Sequence, residues 1–289
     1  MPEEPSSAAR PVPPSSWPEA DDLPRIPALI AVAVGNTRTR IGVFKEGELR
    51  EAESVMNDAD PGRAARAFIE RTGAEGSAAV LSAVHPGFAD AVADGIDPVT
   101  TDVHRLGRDL PIRIAHGLDD AGTVGHDRLV NAIGAYGRAR QACVVVDLGT
   151  AMTVDFVDGR GTFQGGAIMP GLRMMLRALH EQTAQLPLLT YERPDPARGP
   201  IGKDTPHAMR LGVTAMVRGA VRELVEQYAE FYEAYPQVVA TGGDAGVLEA
   251  QGESGLGAGV IEHFVPDLQL IGIYTACQLA LHEGDEDEL

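Results

Sequence analysis

Residues 31–44 read Ala-Val-Ala-Val-Gly-Asn-Thr-Arg-Thr-Arg-Ile-Gly-Val-Phe, and residues 144–157 read Val-Val-Val-Asp-Leu-Gly-Thr-Ala-Met-Thr-Val-Asp-Phe-Val. In both stretches a β-branched apolar run meets a glycine-centred turn that carries hydroxyl groups, and a second run returns from the turn. This pattern predicts two strand–turn–strand units. Turns of this kind present backbone N–H groups to phosphate oxygens. The repeat therefore predicts two similar halves that clamp a nucleotide between them.

The two copies differ at one chemically important position. Aligning them residue by residue matches Gly35 with Gly149 and Thr39 with Thr153. In this alignment Ala33 stands where the second copy has Asp147. The first copy therefore lacks the carboxylate that ends the strand in the second copy.

Hydrophobic periodicity and turn residues extend each half into a three-stranded meander followed by helices and further strands. We predict strands at 29–34, 39–44, 78–84, 143–148, 152–157, 162–169 and 238–241, and helices at 61–71, 127–140, 171–179, 205–232 and 271–282. The domain prediction is a disordered extension at 1–25, a first domain at 26–141, a second domain at 142–282 and a solvated acidic tail at 283–289. This is a duplicated α/β fold with a cleft between its halves, where ligands often bind.

Composition restricts the partners. The chain has 289 residues, of which 44% are hydrophobic, and a formal net charge of −18. Because nucleic-acid binding depends on Lys and Arg, this charge argues against DNA or RNA as a partner. No run approaches the roughly 18 apolar residues of a membrane span. Cys143 and Cys277 lie in apolar runs without metal-ligand spacing, and no signal peptide is evident, so we expect a cytoplasmic protein.

Three short segments carry the candidate chemistry. Asp147 can hold a cation or orient a phosphate, although an acid there can also simply stabilise its turn. Asp127 and Arg128 start a helix, where Asp can be a general base and Arg a carboxylate anchor, or Asp can merely cap the helix. Thr205 starts another helix, where plain capping by Asp204 or Thr205 is the alternative.

The ordered set of motifs closely resembles the type III pantothenate kinases of the actin/hexokinase/Hsp70-like superfamily. The resemblance covers about residues 29–280 and rests on seven segments, each weak alone. These are Gly35-Asn36-Thr37-Arg38-Thr39, Gly125-His126-Asp127-Arg128, Asp147-Leu148-Gly149-Thr150-Ala151-Met152-Thr153, Gly165-Gly166-Ala167-Ile168-Met169-Pro170-Gly171, Thr183-Ala184-Gln185-Leu186-Pro187, Ile201-Gly202-Lys203-Asp204-Thr205 and Thr241-Gly242-Gly243.

The resemblance implies duplicated ribonuclease H-like domains, as in actin-like ATPases, and transfer of the γ-phosphoryl group of ATP to the 4′-hydroxyl of pantothenate. That reaction is the first step of coenzyme A biosynthesis. The resemblance also implies ATP with Mg²⁺, and a monovalent cation, K⁺ or NH₄⁺. The homodimer of the family places its sites at the subunit interface.

The same resemblance assigns roles to residues. Asp127 is the catalytic base, and Asp147 binds the monovalent cation. Pantothenate is held by Gly125, His126, Asp127 and Arg128, with Thr205 reaching the site of the other subunit. ATP is contacted by Gly35, Asn36, Thr37, Arg38, Thr39, Arg40 and Thr150.

Two departures from the family pattern keep alternatives open. Ala33 replaces the acid that begins the first phosphate motif, so a catalytically impaired paralogue, acting as a regulatory subunit or in a heterodimer, is the alternative function. The family's aromatic residue and Asn-Pro pair before Gly125 are also missing, since the stretch contains Ala115-His116-Gly117 and Asp120-Ala121. A phosphotransferase with a different small substrate is a further alternative.

Overall fold

The computed structural model describes residues 17–19, 21–58, 60–248 and 260–286. Ten strands form two sheets of five. The strands are β1 (Ala28–Val34), β2 (Arg38–Lys45), β3 (Glu48–Met56), β4 (Ala78–Ala83), β5 (Val103–Arg105), β6 (Cys143–Leu148), β7 (Ala151–Val157), β8 (Phe163–Pro170), β9 (Gln237–Thr241) and β10 (His263–Phe264). The helices are α1 (Pro61–Thr72), α2 (Pro86–Ile96), α3 (His126–Ala139), α4 (Leu172–Glu181), α5 (Thr205–Phe231) and α6 (Leu268–Glu286).

The two sheets have the same topology. The first has the order β3-β2-β1-β4-β5 and the second, read from its other edge, the order β8-β7-β6-β9-β10. In each, the first three strands form an antiparallel meander and the last two add in parallel beside the central strand. This repeated order confirms the predicted duplicated ribonuclease H-like fold of the actin-like type.

The helices form layers on both faces of each sheet. The outer face of the first sheet packs on α1 and α2, and the outer face of the second on α4 and α5. Between the sheets, α3 and α6 share one core with the inner faces of both. Since β1 and β6 are buried on both faces, they read as continuous apolar runs. Cys143 and Cys277 are both buried, free thiols in this central core.

Local sequence explains where the helices begin. Asp60 accepts a hydrogen bond from the Arg63 N–H at 3.0 Å and is followed by a proline, so it caps α1. Asp204 caps α5 in the same way through the His207 N–H at 2.9 Å. These caps stabilise helix starts that the sequence had also indicated.

The chain termini differ from the prediction. Residues 17–19 and 21–25 were expected to be disordered, but Trp17 donates to the Gly161 carbonyl and packs on Tyr136. Gln278 likewise donates to the Pro24 carbonyl, because this segment covers apolar surface near α3 and α6. The rest of the predicted extension, residues 1–16 and 20, lies outside the described residues.

The C-terminal helix also corrects the domain prediction. Residues 271–282 were assigned to the second domain, but α6 packs mainly on α3 and on β1 and β2 of the first sheet. The helix continues through 283–286, which the sequence had suggested as tail, and 287–289 lie outside the described residues. A return of the chain to the first sheet is a long-range contact that local periodicity does not reveal. None of the described helices combines the length and apolar character that crossing a membrane requires.

Candidate active site

The two repeated turns face each other across the cleft. Each turn is closed by its glycine, with the Gly35 N–H donating to the Arg38 carbonyl and the Gly149 N–H to the Ala151 carbonyl. The side chains of Thr37 and Thr150 meet between the turns, with their Oγ1 atoms 3.0 Å apart. The structure thus brings together the two segments that the sequence predicted to clamp a nucleotide.

A third predicted segment joins them. Arg38 is exposed on the first turn and extends toward the Gly242-Gly243 turn, where a Cβ on Gly243 would lie 3.8 Å from Arg38 Nη1. Gly242 has φ +96, which favours glycine, and a Cβ there would lie 2.5 Å from Asp147 Oδ1. Glycine at this position therefore allows the backbone to approach the carboxylate. The predicted nucleotide residues Gly35, Asn36, Thr37, Arg38 and Thr150 all lie at this opening.

Asn57 braces the first turn, and sequence reasoning missed it. Its side chain accepts from Thr39 Oγ1 at 2.8 Å and donates to the Gly35 carbonyl at 2.9 Å. Its backbone N–H donates to the Thr37 carbonyl at 3.0 Å. Thr39 is completely buried, and its contact with ATP stays a prediction.

Strand register corrects the alignment of the two repeats. Ala33 pairs with Arg40, whereas Asp147 pairs with Thr153. The first turn is therefore one residue longer, and the structural equivalent of Thr153 is Arg40 rather than Thr39. Arg40 was predicted to contact ATP, but its guanidinium binds the Asp267 carboxylate at 2.5 Å. A one-residue difference in turn length is invisible to an ungapped comparison of the two stretches.

Asp147 lies at the base of the opening, at the end of β6 and flanked by Thr153 and Thr241 on the neighbouring strands. Its Oδ2 accepts from Asn131 Nδ2 at 2.9 Å, another contact that the sequence did not predict. Burial, together with the nearby charges of Asp127 and Asp155, raises the pKa of Asp147 to about 6. A partly buried carboxylate whose charge is disfavoured is stabilised by a bound cation.

Asp127 lies in the first turn of α3 and faces the same region. The helix cap is Gly125, so Asp127 is not the N-cap, although its Oδ1 accepts the Arg128 N–H at 2.9 Å. A Cβ on Gly125 would come within 2.4 Å of that oxygen, so glycine leaves room for the carboxylate. Since the charge of Asp127 acts on Asp147, the two acids belong to one electrostatic site. The predicted base therefore lies close enough to the predicted cation ligand to influence its ionisation.

Arg128 forms a buried ion pair with Asp155 of β7. Its Nε lies 3.0 and 3.2 Å from the two carboxylate oxygens, and Nη2 also binds Oδ1. The side chains are 13% and 2% exposed, and the guanidinium lies over the Phe163 ring at 5.6 Å. Burial opposes the charge on Arg128, but the bond to Asp155 outweighs it and raises the pKa of the guanidinium. Asp155 is part of the second repeat, where the sequence suggested only a strand position.

The remaining predicted residues lie at the edges of this region. The His126 ring packs against the backbone of Gly107, where a Cβ would come within 2.2 Å of the imidazole. Thr205 is exposed at the start of α5, on a groove of about 640 Å³ that Lys203, Met209 and Met216 also line. This groove lies on the α4 and α5 surface and not between the two turns. The structure therefore does not bring Thr205 to Asp127 within one chain.

Sequence comparisons identify similar proteins along most of the chain. The profile of the type III pantothenate kinase family matches residues 29–227. The type III pantothenate kinase of Rubrobacter xylanophilus is 32% identical over 259 residues, which cover 85% of this chain and 95% of that protein. The type III pantothenate kinase of Akkermansia muciniphila is 33% identical over 246 residues, which cover 85% and 96%.

A solved structure supports the fold. A conserved protein from Campylobacter jejuni, described as a Baf family transcriptional activator, superposes with a TM-score of 0.50 at 15% identity. The match covers 90% of this chain and 100% of that chain. At this identity the likeness concerns the fold alone.

Proposed function

The chain belongs to the type III pantothenate kinase family, and from this membership we propose that it transfers the γ-phosphoryl group of ATP to the 4′-hydroxyl of pantothenate. This reaction begins coenzyme A biosynthesis. The observation that carries the proposal is the meeting of the two hydroxyl-bearing turns at Thr37 and Thr150, in a region where the charge of Asp127 acts on Asp147.

The turns provide the nucleotide site. Backbone N–H groups and the hydroxyls of Thr37 and Thr150 offer donors to phosphate oxygens. Arg38, which extends toward the Gly242-Gly243 turn, adds a cation that can bind the same phosphates. These donors allow a chain with a net charge of −18 to bind a polyanion.

The magnesium ion that accompanies ATP would be held chiefly by the phosphates of the nucleotide. No group of three or more His, Cys, Asp or Glu side chains is arranged as a metal cage in the part of the chain that the structure describes. Mg²⁺ suits such a site because it is usually held by substrate phosphates and one or two carboxylates. Bound to the phosphates, it would neutralise the charge that develops during transfer.

Asp127 has the position of a general base. At the start of α3 it can accept the proton of the attacking hydroxyl while Gly125 leaves space beside its carboxylate. Arg128 has the role of carboxylate anchor: Asp155 engages Nε and Nη2, and Nη1 is the donor that can face a substrate. Asp155 would then hold the anchor in place rather than compete with the substrate.

Asp147 is proposed to bind the monovalent cation. Its carboxylate is held by Asn131 and lies close to the Gly242 backbone. A bound K⁺ or NH₄⁺ would offset the unfavourable burial of its charge. This role requires the ionised form, so cation binding should strengthen as the pH rises through about 6.

A homodimer completes the proposal. Thr205 lies on an exposed groove, and exposed apolar side chains nearby include Ile201 at 71% and Met216 at 62%. A second copy covering this surface would remove these side chains from water and could bring Thr205 to the partner's substrate. Cytoplasmic localisation is part of the same proposal, because coenzyme A synthesis uses cytosolic ATP.

The experiment is ADP release by the purified chain with ATP, Mg²⁺, K⁺ and pantothenate. We expect pantothenate-dependent turnover, and a loss of about 10²- to 10⁴-fold in kcat for Asp127→Asn. Asp60→Asn is the matched control, because Asp60 also accepts a backbone N–H at a helix start but caps α1. Equal losses in the two variants, or a large drop in melting temperature for Asp127→Asn, would support a structural role at the helix start instead of catalysis.

The comparisons lend no support to the alternative of an impaired paralogue, which is motivated by Ala33 alone. A folded chain that binds ATP but releases no ADP with pantothenate would favour that alternative. Restoration of turnover by Ala33→Asp or by a paralogue with Asp at this position would establish it. Stronger stabilisation by another hydroxy acid would instead favour a different substrate.

A further inference from the structure

The inner face of the first sheet has no carboxylate at position 33, but it retains polar neighbours there. Ala33 is flanked by Arg40 on β2 and by Ser82 on β4. Ser82 is completely buried, and its hydroxyl has no hydrogen-bond partner among the described residues. In the second sheet the corresponding neighbours, Thr153 and Thr241, flank the carboxylate of Asp147. The first half thus keeps polar side chains beside a position where its own strand provides no carboxylate.

An acid from a distant part of the chain reaches this face. Arg40 Nε donates to Asp267 Oδ1 at 2.7 Å, and Arg40 Nη2 lies 2.5 Å from the same oxygen. Both contacts are to Oδ1, so Oδ2 can face another group. The Asp267 side chain is 26% exposed and therefore accessible to a ligand.

The topology places Asp267 at the cleft end of the fold. It follows β10, which runs parallel to β9, and the Val265 N–H donates to the Ala240 carbonyl. Ala240 pairs with Val146, one residue before Asp147, so the chain leaves the second sheet at the level of the active site. From there Asp267 begins α6, which packs on β1.

We propose that Asp267, oriented by Arg40, supplies the first-half carboxylate that Ala33 lacks and helps position the divalent cation bound to ATP. The proposal rests on the kinase function above. Because one or two carboxylates suffice for Mg²⁺ on nucleotide phosphates, an acid just before α6 can replace an acid from β1. Asp267 would be a positioning residue, since it acts on the metal ion and not on the γ-phosphoryl group that is transferred.

The competing explanation is a purely structural ion pair that joins α6 to β2. A structural ion pair and a metal-positioning carboxylate predict different effects when an acid is restored at position 33. If Asp267 only holds the helix, Ala33→Asp cannot compensate for its loss. If Asp267 supplies a carboxylate for the metal, Ala33→Asp compensates, and the unpartnered Ser82 hydroxyl can donate to the new side chain.

The test measures the Mg²⁺ dependence of ATP binding by calorimetry, without pantothenate, and Mn²⁺ binding to the ATP complex by electron paramagnetic resonance. We expect Asp267→Asn to weaken metal binding to the complex by about 10- to 100-fold while metal-free ATP affinity changes little. The Ala33→Asp/Asp267→Asn variant should recover most of this loss. Asp90→Asn is the control, because Asp90 on α2 forms a 2.7 Å ion pair with Arg105 on β5.

Unchanged metal affinity in Asp267→Asn overturns the proposal. So does a loss that Ala33→Asp fails to recover, provided that the double variant melts cooperatively. Failure of the kinase function gives a different result: the wild type shows metal-dependent ATP binding and no turnover of pantothenate. A wild type that binds no metal–ATP complex rejects both proposals.

Discussion

Replacing Asp155 by Asn should destabilise the chain by about 3 kcal/mol. Breaking a buried ion pair by removing one partner costs about 3–5 kcal/mol, because the remaining charge is buried without compensation. Arg128 is only 13% exposed, so its guanidinium could not regain full hydration. We expect the lower end of this energy range because the side-chain oxygen of Asn can still accept a hydrogen bond from Arg128.

Urea denaturation followed by circular dichroism measures this loss. In thermal denaturation the melting temperature should fall by about 6 °C, at roughly 2 °C per kcal/mol for a chain of this size. The control is Glu53→Gln, which removes one partner of the exposed pair with Arg71 and should cost less than about 1 kcal/mol. The double variant Arg128→Met/Asp155→Leu should recover much of the stability, since it removes both charges.

The result that would refute this reasoning is a loss below about 1 kcal/mol in Asp155→Asn, equal to that of the exposed control. A double variant as unstable as the single one would also contradict it, because the penalty would then not come from an uncompensated charge. Both variants should bind pantothenate more weakly if Asp155 also orients Arg128 for the substrate.

Two further predictions concern the base of the opening and the first turn. Burial raises the pKa of Asp147 from 3.8 to about 6, so the folded chain holds this proton through a window in which the unfolded chain releases it. The contribution of Asp147 to the free energy of unfolding should therefore decrease as the pH rises from about 4 to 6. A pKa difference of roughly 2 units, at about 1.4 kcal/mol per unit, corresponds to about 3 kcal/mol. Melting temperatures in cation-free buffer should show this slope in the wild type and not in Asp147→Asn. Asn57→Ala should cost about 1–3 kcal/mol and weaken ATP binding, because the buried Thr39 hydroxyl loses its acceptor. Denaturation and ATP titration check this, with exposed Asn36→Ala expected to leave stability unchanged.

Local pattern predicted most of the secondary structure. Buried strands such as 143–148 and helices with clear starts, such as α1 and α5, lie where the sequence indicated. Periodicity and capping are local properties, so they can be read without knowledge of the fold. No helix or strand was predicted between residues 84 and 127, where the structure places α2 and the short strand β5. β5 has three residues, too few for its period to be recognised.

The candidate site was predicted in part. Asp127, Asp147 and the two turns were identified because they lie next to glycines at the ends of predicted elements. Asn57 and Asp155 were missed, since both are polar residues within or just after strands and only their burial and bonding partners distinguish them. Thr39 and Arg40 were predicted to contact ATP from the family resemblance, and only the tertiary structure shows that Thr39 is buried and that Arg40 pairs with Asp267.

The sequence by itself determined the duplication, the strand–turn–strand units and the residues at the turns, because these depend on the order of neighbouring residues. Tertiary structure decided which charges pair. The contact of Arg40 with Asp267 and that of Arg128 with Asp155 join residues far apart in the chain. Their partners are fixed by strand register and by the return of α6 to the first sheet, and neither leaves a local pattern.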